Sequence, residues 1–337
     1  SRGAERGRGL VAPASRSRRG MTVLVTGAGG YLGRLLVAEL ARRGGPVLAL
    51  DLIQPPVDAR LPGVEYLARD VRAAGLAEVL RVYRIDAVAH LASIVTPGRR
   101  SSRAHEYSVD VLGTKNVLEA CVEAGVAKFV VTSSGAAYGY HSANPPLIDE
   151  DWPLRGNREF AYAWHKRLVE EMLAEYRAAH MGMGQVVLRV GTILGETTRN
   201  QITDLFDQPR LIAVRGSDSP FVFAWDQDVV ACLVRALEPG REGVFNVAGD
   251  GALGIREIAA RLGKPCLELP AWAIGGALAL LKPLGLSQYG PEQVRFLRYR
   301  PVLDNRRLKQ VFGYTPRLTS SETFDLYRRA RSRDGAA

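Results

Sequence analysis

Residues 22–33 read Thr-Val-Leu-Val-Thr-Gly-Ala-Gly-Gly-Tyr-Leu-Gly, an apolar run that enters three glycines at spacing three: Gly27, Gly30 and Gly33. A strand, a glycine turn and a helix start, in that order, make a seat for phosphate. Missing side chains let a pyrophosphate approach the backbone, and free N–H groups at a helix N-terminus meet its charge. The helix continues through Leu35, Leu36, Val37 and Leu40, and a second strand, Val47 to Leu50, ends at Asp51. That acid stands close to the roughly 20-residue separation expected for the carboxylate that binds an adenosine ribose. The expected ligand is a dinucleotide, with Gly27, Gly30, Tyr31, Leu32, Gly33 and Asp51 as candidate contacts.

The chain has 337 residues, 47% of them hydrophobic, enough for one large α/β body with a smaller partner. It contains no run of 18 apolar residues, so no membrane span and no membrane partner is expected. The longest apolar stretch, Leu269 to Leu281, contains Pro270 and two glycines and reads as a core or pocket segment. Cys121, Cys232 and Cys266 are odd in number, far apart and without metal-ligand spacing. Reduced thiols in a cytoplasmic enzyme, and no metal, are the expectation. The net charge is +10, and half of the excess sits in residues 1–20, where six arginines face Glu5. That stretch lacks periodicity and reads as a disordered basic tail, with Met21 a candidate natural start. The remaining charge forms no stripe, so no nucleic-acid partner is expected.

From residue 22 short apolar runs alternate with amphipathic stretches, the pattern of βαβ units and a parallel sheet. Strands are predicted at 22–26, 47–51, 64–67, 86–91, 128–133, 185–190 and 244–247, and helices near 31–43, 73–83, 103–124, 159–181 and 226–237. Segments 192–222 and 251 onward break the rhythm. The fold class is therefore α/β, a doubly wound parallel (Rossmann) sheet with a smaller, interleaved C-terminal substrate domain. Residues 21–191 with about 223–250 are expected to form the dinucleotide-binding domain, and about 192–222 with 251–330 the substrate-binding cap.

Tyr162-Ala163-Trp164-His165-Lys166 falls on the helix predicted at 159–181, and spacing of four puts Tyr162 and Lys166 on one face. An ammonium one turn away favours the ionised form of a phenol, which makes the pair an acid–base device. Upstream, Phe129-Val130-Val131-Thr132-Ser133-Ser134 is a buried strand ending in hydroxyls, where open parallel sheets bind ligands. His90, His141 and His165 are isolated in spacing and read as structural or surface groups. Trp152, Trp164, Trp225 and Trp272 read as core or pocket wall.

Over residues 22–316 the chain resembles the extended short-chain dehydrogenase/reductases, the NAD-dependent epimerase/dehydratase family, and is nucleotide-sugar 4-epimerase-like. The resemblance rests on TGAGGYLG, Asp51, Arg69-Asp70-Val71, Ala89-His90-Leu91-Ala92-Ser93, VTSSGAAYG, YxxxK, Leu188-Arg189 with Gly195, and Phe245-Asn246-Val247-Ala248-Gly249. Leu308 to Pro316 resembles the family's closing LxxxxGxxP segment. The resemblance implies NAD as cofactor, with Asp70 and Val71 at the adenine and Leu91, Ala92 and Ser93 as cofactor-facing backbone. It implies Ser134, Tyr162 and Lys166 as the catalytic set, Lys166 also holding the nicotinamide ribose. Asp51 would repel the extra phosphate of NADP. The family commonly dimerises through a four-helix bundle, so the helices at 103–124 and 159–181 are expected to pair with a second copy.

Departures from the family pattern bear on the substrate. Dehydratases carry Asp-Glu directly after the active-site hydroxyl, where this chain has Gly135 and Ala136. The diphosphate-gripping arginine ahead of Asp228 is replaced by Phe221, the asparagine two residues after Leu-Arg by Gly191, and the helix asparagine by Asp110. Arg295, Arg298 and Arg300 are available as substitutes for the missing grip. A pocket edged by Phe221, Phe223 and Trp225 suits an apolar substrate, so net oxidoreduction of a bulky carbonyl or alcohol is the leading expectation. Nucleotide-sugar (UDP-hexose type) 4-epimerisation is the alternative, followed by a non-catalytic NAD- or RNA-binding relative.

Overall fold

The computed structural model describes residues 20–96, 98, 101–284 and 290–334. Apart from Gly20, the expected basic tail lies outside the described residues. Seven strands form one fully parallel sheet: β1 (Val23–Thr26), β2 (Val47–Asp51), β3 (Val64–Ala68), β4 (Ala87–His90), β5 (Lys128–Ser134), β6 (Gly184–Val190) and Gly243–Val247. Three short strands precede the last of these in the chain, β7 (Thr192–Leu194), β8 (Leu211–Val214) and β9 (Phe223–Trp225), so it is β10. The order across the sheet is β10-β6-β5-β4-β1-β2-β3. The direction of winding reverses between β1 and β4, the point beyond whose strand ends open sheets of this kind bind ligands.

The inner strands are apolar on both faces because helices cover both. Val23 and Val25 pack with Leu36, Val37 and Leu40 of α1 (Tyr31–Arg42) and with Val229, Val230 and Leu233, while Leu24 turns to the opposite layer. That opposite layer holds α2 (Leu76–Val82), α3 (Arg103–Tyr107), α4 (Thr114–Ala124) and α5 (Ala161–Ala179), through Leu76, Leu80, Val117, Leu118, Val169 and Leu173. The helix expected at 103–124 is interrupted by a wider π-helical turn, Ser108–Gly113, which sets Asp110 inward. Gly113 is required there, since a Cβ would lie 2.9 Å from Val71 Cγ2.

A second core lies beyond the sheet. It collects Phe206 of α6 (Gln201–Asp207), Phe221, Phe223, Ile258 and the residues Phe324 and Tyr327. Chain order adds α7 (Asp226–Ala236), α8 (Ile255–Leu262), β11 (Cys266–Leu269), α9 (Ala271–Leu281), α10 (Gln293–Arg298) and α11 (Ser320–Asp334). Strand β7 pairs with β9, and β8 with β11, both in parallel.

Two sequence expectations are overturned here. Phe221 and Phe223 do not edge a pocket; they are 1% and 0% exposed and stack in the second core at 5.9 Å. The apolar run Leu269 to Leu281 is not a core segment. Its helix α9 buries only Ile274 and leaves Trp272 80% exposed, contrary to the reading of Trp272 as core or pocket wall.

Candidate functional site

The glycine turn is built by close backbone approach. Gly27 has φ +68°, and a Cβ there would stand 2.7 Å from the Ala92 amide nitrogen. A Cβ on Gly33 would stand 2.1 Å from the Gly27 carbonyl oxygen, so α1 seats on the turn only with glycine. Helix α1 follows Gly30 at its N-cap, with no side-chain cap and no acidic residue in its first turn. Its leading amides therefore keep their capacity for an anion. Asp51, at the end of β2, accepts from the Gly29 amide at 2.8 Å and from Leu52 at 2.7 Å, beside the same turn. These features fit a dinucleotide.

Tyr31 does a second job that the sequence did not disclose. Its hydroxyl donates to Asp226 Oδ2 at 2.5 Å and accepts from Thr198 at 2.9 Å, tying α1 to the first residue of α7. Burial, with the Asp226 contact, pushes the Tyr31 phenol above its ordinary range. Gly195 leaves room for this, since a Cβ would lie 2.0 Å from Asp226 Oδ2. Leu32 packs half-buried against the core beneath the turn.

The remaining expected cofactor residues also follow the C-terminal strand ends. Beyond β3, Asp70 is held by Arg72 at 2.6 Å, and that contact depresses its carboxyl below the usual range. Val71 is buried, and its carbonyl accepts from Asn116 at 2.6 Å. Beyond β4, the Leu91 amide donates to the Thr26 carbonyl at 3.1 Å, and the Ala92 amide lies 3.4 Å from Thr26 Oγ1. The Ser93 hydroxyl donates to Asp110 at 3.0 Å.

Asp110 also accepts from the Ile94 amide at 2.8 Å and pairs with His165 Nδ1 at 2.9 Å, both side chains buried. Burial alone would raise its carboxyl, but His165, Lys166 and these donors bring it below the ordinary value. His90 lies between Thr26 at 2.8 Å and Thr114 at 2.9 Å. Burial, aided by the Lys166 charge, pushes its imidazole down to about 3, so it stands neutral.

The three candidate catalytic side chains lie at the ends of β5 and α5. Lys166 Nζ donates to the Thr132 carbonyl at 3.0 Å and stands 5.5 Å from the centre of the Tyr162 ring. Ser134 Oγ accepts from the Ala136 amide at 3.1 Å, so the hydroxyl caps the turn Gly135–Tyr138 and keeps its proton to donate elsewhere. Ser133, on the opposite face of the strand, donates to Glu170 at 2.5 Å.

Glu170 opens a buried network beneath these residues. It takes a bidentate contact from Arg189 at 2.7–3.0 Å, and Arg189 donates onward to the Tyr138 hydroxyl at 2.7 Å and the Glu150 carbonyl at 2.9 Å. Asn246 closes it, receiving Tyr138 at 2.9 Å and donating from its own amide to Glu150 at 2.8 Å. One network thus braces β5, β6, β10 and α5. Its signal was in the sequence: Tyr162, Lys166 and Glu170 repeat at four-residue spacing on one helix face.

The available arginines differ in their fates. Arg295 pairs with Glu159 at 2.9 Å. Arg300 lies between the rings of Phe221 at 3.7 Å and Phe296 at 4.5 Å. Its Nη1 reaches the Ser219 carbonyl at 3.4 Å, while Nε and Nη2 are enclosed with no partner. Burial pushes this guanidinium down to about 9. A guanidinium yields its proton very reluctantly, so the strain acts as a demand for an anion. Arg298 Nε is likewise enclosed and unpartnered. His141, Asn144, Arg298 and Arg300 line a recess of about 170 Å³. Among the described residues no three His, Cys, Asp or Glu side chains gather to hold a metal ion.

A doubly wound parallel sheet with an uncapped glycine-turn helix, an acid at the end of β2 beside that turn and a strand-end hydroxyl defines a dinucleotide-dependent α/β enzyme. The chain belongs to the NAD dependent epimerase/dehydratase family, whose model matches residues 23–248. Its cofactor is accordingly NAD. It is 28% identical over 316 residues to an uncharacterized protein of Mycobacterium tuberculosis (strain ATCC 25618 / H37Rv), covering 92% of this chain and 84% of that one. It is 34% identical over 176 residues to the UDP-glucose 4-epimerase of Azospirillum brasilense, covering 51% of this chain and 49% of the other. Among solved structures it is similar to MoeE5 in complex with UDP-glucuronic acid and NAD, with a TM-score of 0.72 and 24% identity over 93% of this chain and 99% of that one. The Thermotoga maritima UDP-glucose 4-epimerase with UDP-glucose gives 0.71 and 20% over the same shares.

Proposed function

We propose that the protein transfers hydride between NAD and a secondary alcohol carbon of a nucleoside-diphosphate sugar. The observation that carries this reading is the enclosed guanidinium of Arg300, which has two partnerless nitrogens and no carboxylate. A phosphate answers such a group with charge-assisted, geometrically matched hydrogen bonds. The burial of Phe221 and Phe223 in the second core also removes the apolar pocket edge that favoured a hydrophobic carbonyl compound. We therefore prefer the sugar-nucleotide reading to the leading expectation from sequence, with 192–222 and 251–330 as the substrate-binding part.

In this reading Tyr162, as phenolate, takes the hydroxyl proton, and Ser134 donates a hydrogen bond to the same oxygen as it becomes a carbonyl. Lys166, fixed by the Thr132 carbonyl, supports the ionised phenol and holds the cofactor ribose. NAD, when bound, supplies the hydride acceptor. Gly27, Gly30, Gly33 and the amides of Tyr31 and Leu32 seat its pyrophosphate, Asp51 its ribose, and Asp70, Val71, Leu91, Ala92 and Ser93 complete the cleft. With Gly135 and Ala136 after Ser134, no local acid can protonate a leaving hydroxyl, which disfavours dehydration. A homodimer through α4 and α5 belongs to the same proposal.

Calorimetric titration with UDP and with UDP-glucose tests the substrate class. Binding of both, weakened about tenfold or more in Arg300→Met, is expected. No affinity for either, together with turnover of an uncharged ketone, would return the reading to the hydrophobic substrate. Chiral analysis of the product then separates inversion at C4 with the cofactor retained from net release of NADH.

A further inference from the structure

Asp110 is a buried carboxylate that the proposed reaction leaves without a task. The π-helical turn Ser108–Gly113 sets it inward, and such turns are departures from a regular helix that recur at functional sites. Its side chain is 3% exposed and both oxygens are engaged. Oδ1 accepts from the Ser93 hydroxyl at 3.0 Å and the Ile94 amide at 2.8 Å, so it holds the loop after β4. Oδ2 meets His165 Nδ1 at 2.9 Å, and the His165 side chain is 1% exposed. A carboxylate only accepts, so Nδ1 carries the proton. Nε2 is enclosed with no partner, and the Tyr107 ring stands edge-on to the imidazole at 5.7 Å. A second N–H at Nε2 would go unreceived, so the pair keeps the carboxylate's negative charge.

Lys166, the residue after His165 on α5, has the opposite need. Its ammonium is buried and donates to the Thr132 carbonyl, and among the described residues no carboxylate forms an ion pair with it. Glu170, one turn further along α5, is engaged by Arg189 and Ser133. His90, facing from β4, stands neutral. That leaves Asp110 as the charge answering Lys166, and the Lys166 charge in turn helps to keep Asp110 ionised. The family pattern has asparagine where this chain has Asp110. An asparagine oxygen could still receive Ser93 and Ile94, but its amide would turn an N–H toward His165 Nδ1 and bring no charge. Aspartate at this position and histidine beside Lys166 therefore suit one another.

We propose that Asp110, aimed by His165, is a positioning residue for hydride transfer: it is the buried counter-charge of Lys166 and fixes the loop that lies against NAD. Its role rests on the function proposed above, in which Tyr162 and Lys166 act on the substrate proton beside that loop. No proton passes through Asp110; it acts through Lys166 and through Ser93 and Ile94.

The test compares Asp110→Asn, Asp110→Ala and His165→Gln in the full chain with NAD. Asp110→Ala, which removes the acceptor for Ser93 and Ile94, is expected to bind NAD about tenfold more weakly. Asp110→Asn should regain most of that affinity, which certifies its fold. At saturating NAD, its turnover of UDP-glucose is expected to fall about tenfold, with the pH profile moved about one unit lower, because neighbouring groups release protons more readily once the negative charge is gone. His165→Gln, which keeps the charge and offers Asp110 an N–H, is expected to leave the pH profile in place. A double-mutant cycle of Asp110→Asn with Lys166→Met needs no substrate. Their losses in thermal midpoint should be less than additive, since each alone strands a buried charge and both together strand none. Additive losses, an unmoved pH profile in Asp110→Asn, or a profile moved equally in His165→Gln would overturn the proposal. If the unaltered chain turns over no UDP-sugar, the proposed function fails by itself, and the cycle still decides whether Asp110 is the partner of Lys166.

Discussion

On the strand-end side of the cleft, Glu170, Arg189, Tyr138 and Asn246 answer one another's charges and lone pairs within the protein, and His90 and Asp110 sit among fixed donors. Arg300, with Nε and Nη2 enclosed, stacks between Phe221 and Phe296 and finds the Ser219 carbonyl, at 3.4 Å, as its hydrogen-bond partner. The first, the Glu170–Arg189–Tyr138–Asn246 network, is matched before any ligand arrives, so the candidate pair Tyr162 and Lys166 stands on a braced helix. The second leaves polar capacity unspent, and a ligand that fills it gains affinity at the expense of the free protein's stability. In the proposed reaction, hydride transfer would draw on the fixed side and substrate choice on the incomplete one.

The contrast can be broken or sharpened by substitution. The largest effect is expected from Tyr162→Phe, which should cut turnover about 10²- to 10⁴-fold with cofactor affinity unchanged, read by steady-state kinetics and NAD titration. Next is Arg189→Met, which leaves Glu170 buried without its partner. A loss of about 3–5 kcal/mol in denaturant unfolding is expected. A smaller loss would mean that the frame is less finished than its contacts suggest.

His90 gives the pH dependence of the same frame. Its folded pKa, about 3, lies below the ordinary 6.5, so its contribution is complete above about 6.5 and is lost as pH falls toward about 3. Near pH 5 the loss is about 2 kcal/mol, and His90→Gln should flatten the stability profile across that window. Gly33→Ala should weaken NAD by about tenfold to a hundredfold, because the added carbon meets main chain that cannot rotate away. The smallest effect on the free protein is expected from Arg300→Met, and its sign is opposite. Thermal unfolding should rise by a few degrees (about 1 kcal/mol) while nucleotide-sugar affinity falls. Reduced stability with unchanged affinity would place Arg300 among the structural groups.

Legibility divides along similar lines. Each of the seven sheet strands could be read, because strands buried on both faces are continuous apolar runs and their helices carry a clear period. The glycine turn could be read because backbone crowding at Gly27 and Gly33 admits one residue type. The partners of Glu170 and Asp110 could not, since Arg189 and His165 meet them only through tertiary packing. The region after residue 250 hid most. An uninterrupted apolar run such as α9 looks the same in sequence whether a core or nothing in the chain covers it. Phe221 and Phe223 misled for a related reason: aromatic side chains suit a core as well as a pocket, and here β9 and the Phe221–Leu253 bridge before it turn both inward.

The most direct test follows the cofactor itself. With UDP-glucose or UDP-galactose added to protein loaded with NAD, fluorescence of reduced nicotinamide should rise in the unaltered chain and stay absent in Tyr162→Phe, both proteins holding NAD equally. The same rise in Tyr162→Phe, or tight UDP binding with no reduction in the unaltered chain, would contradict hydride transfer by this site.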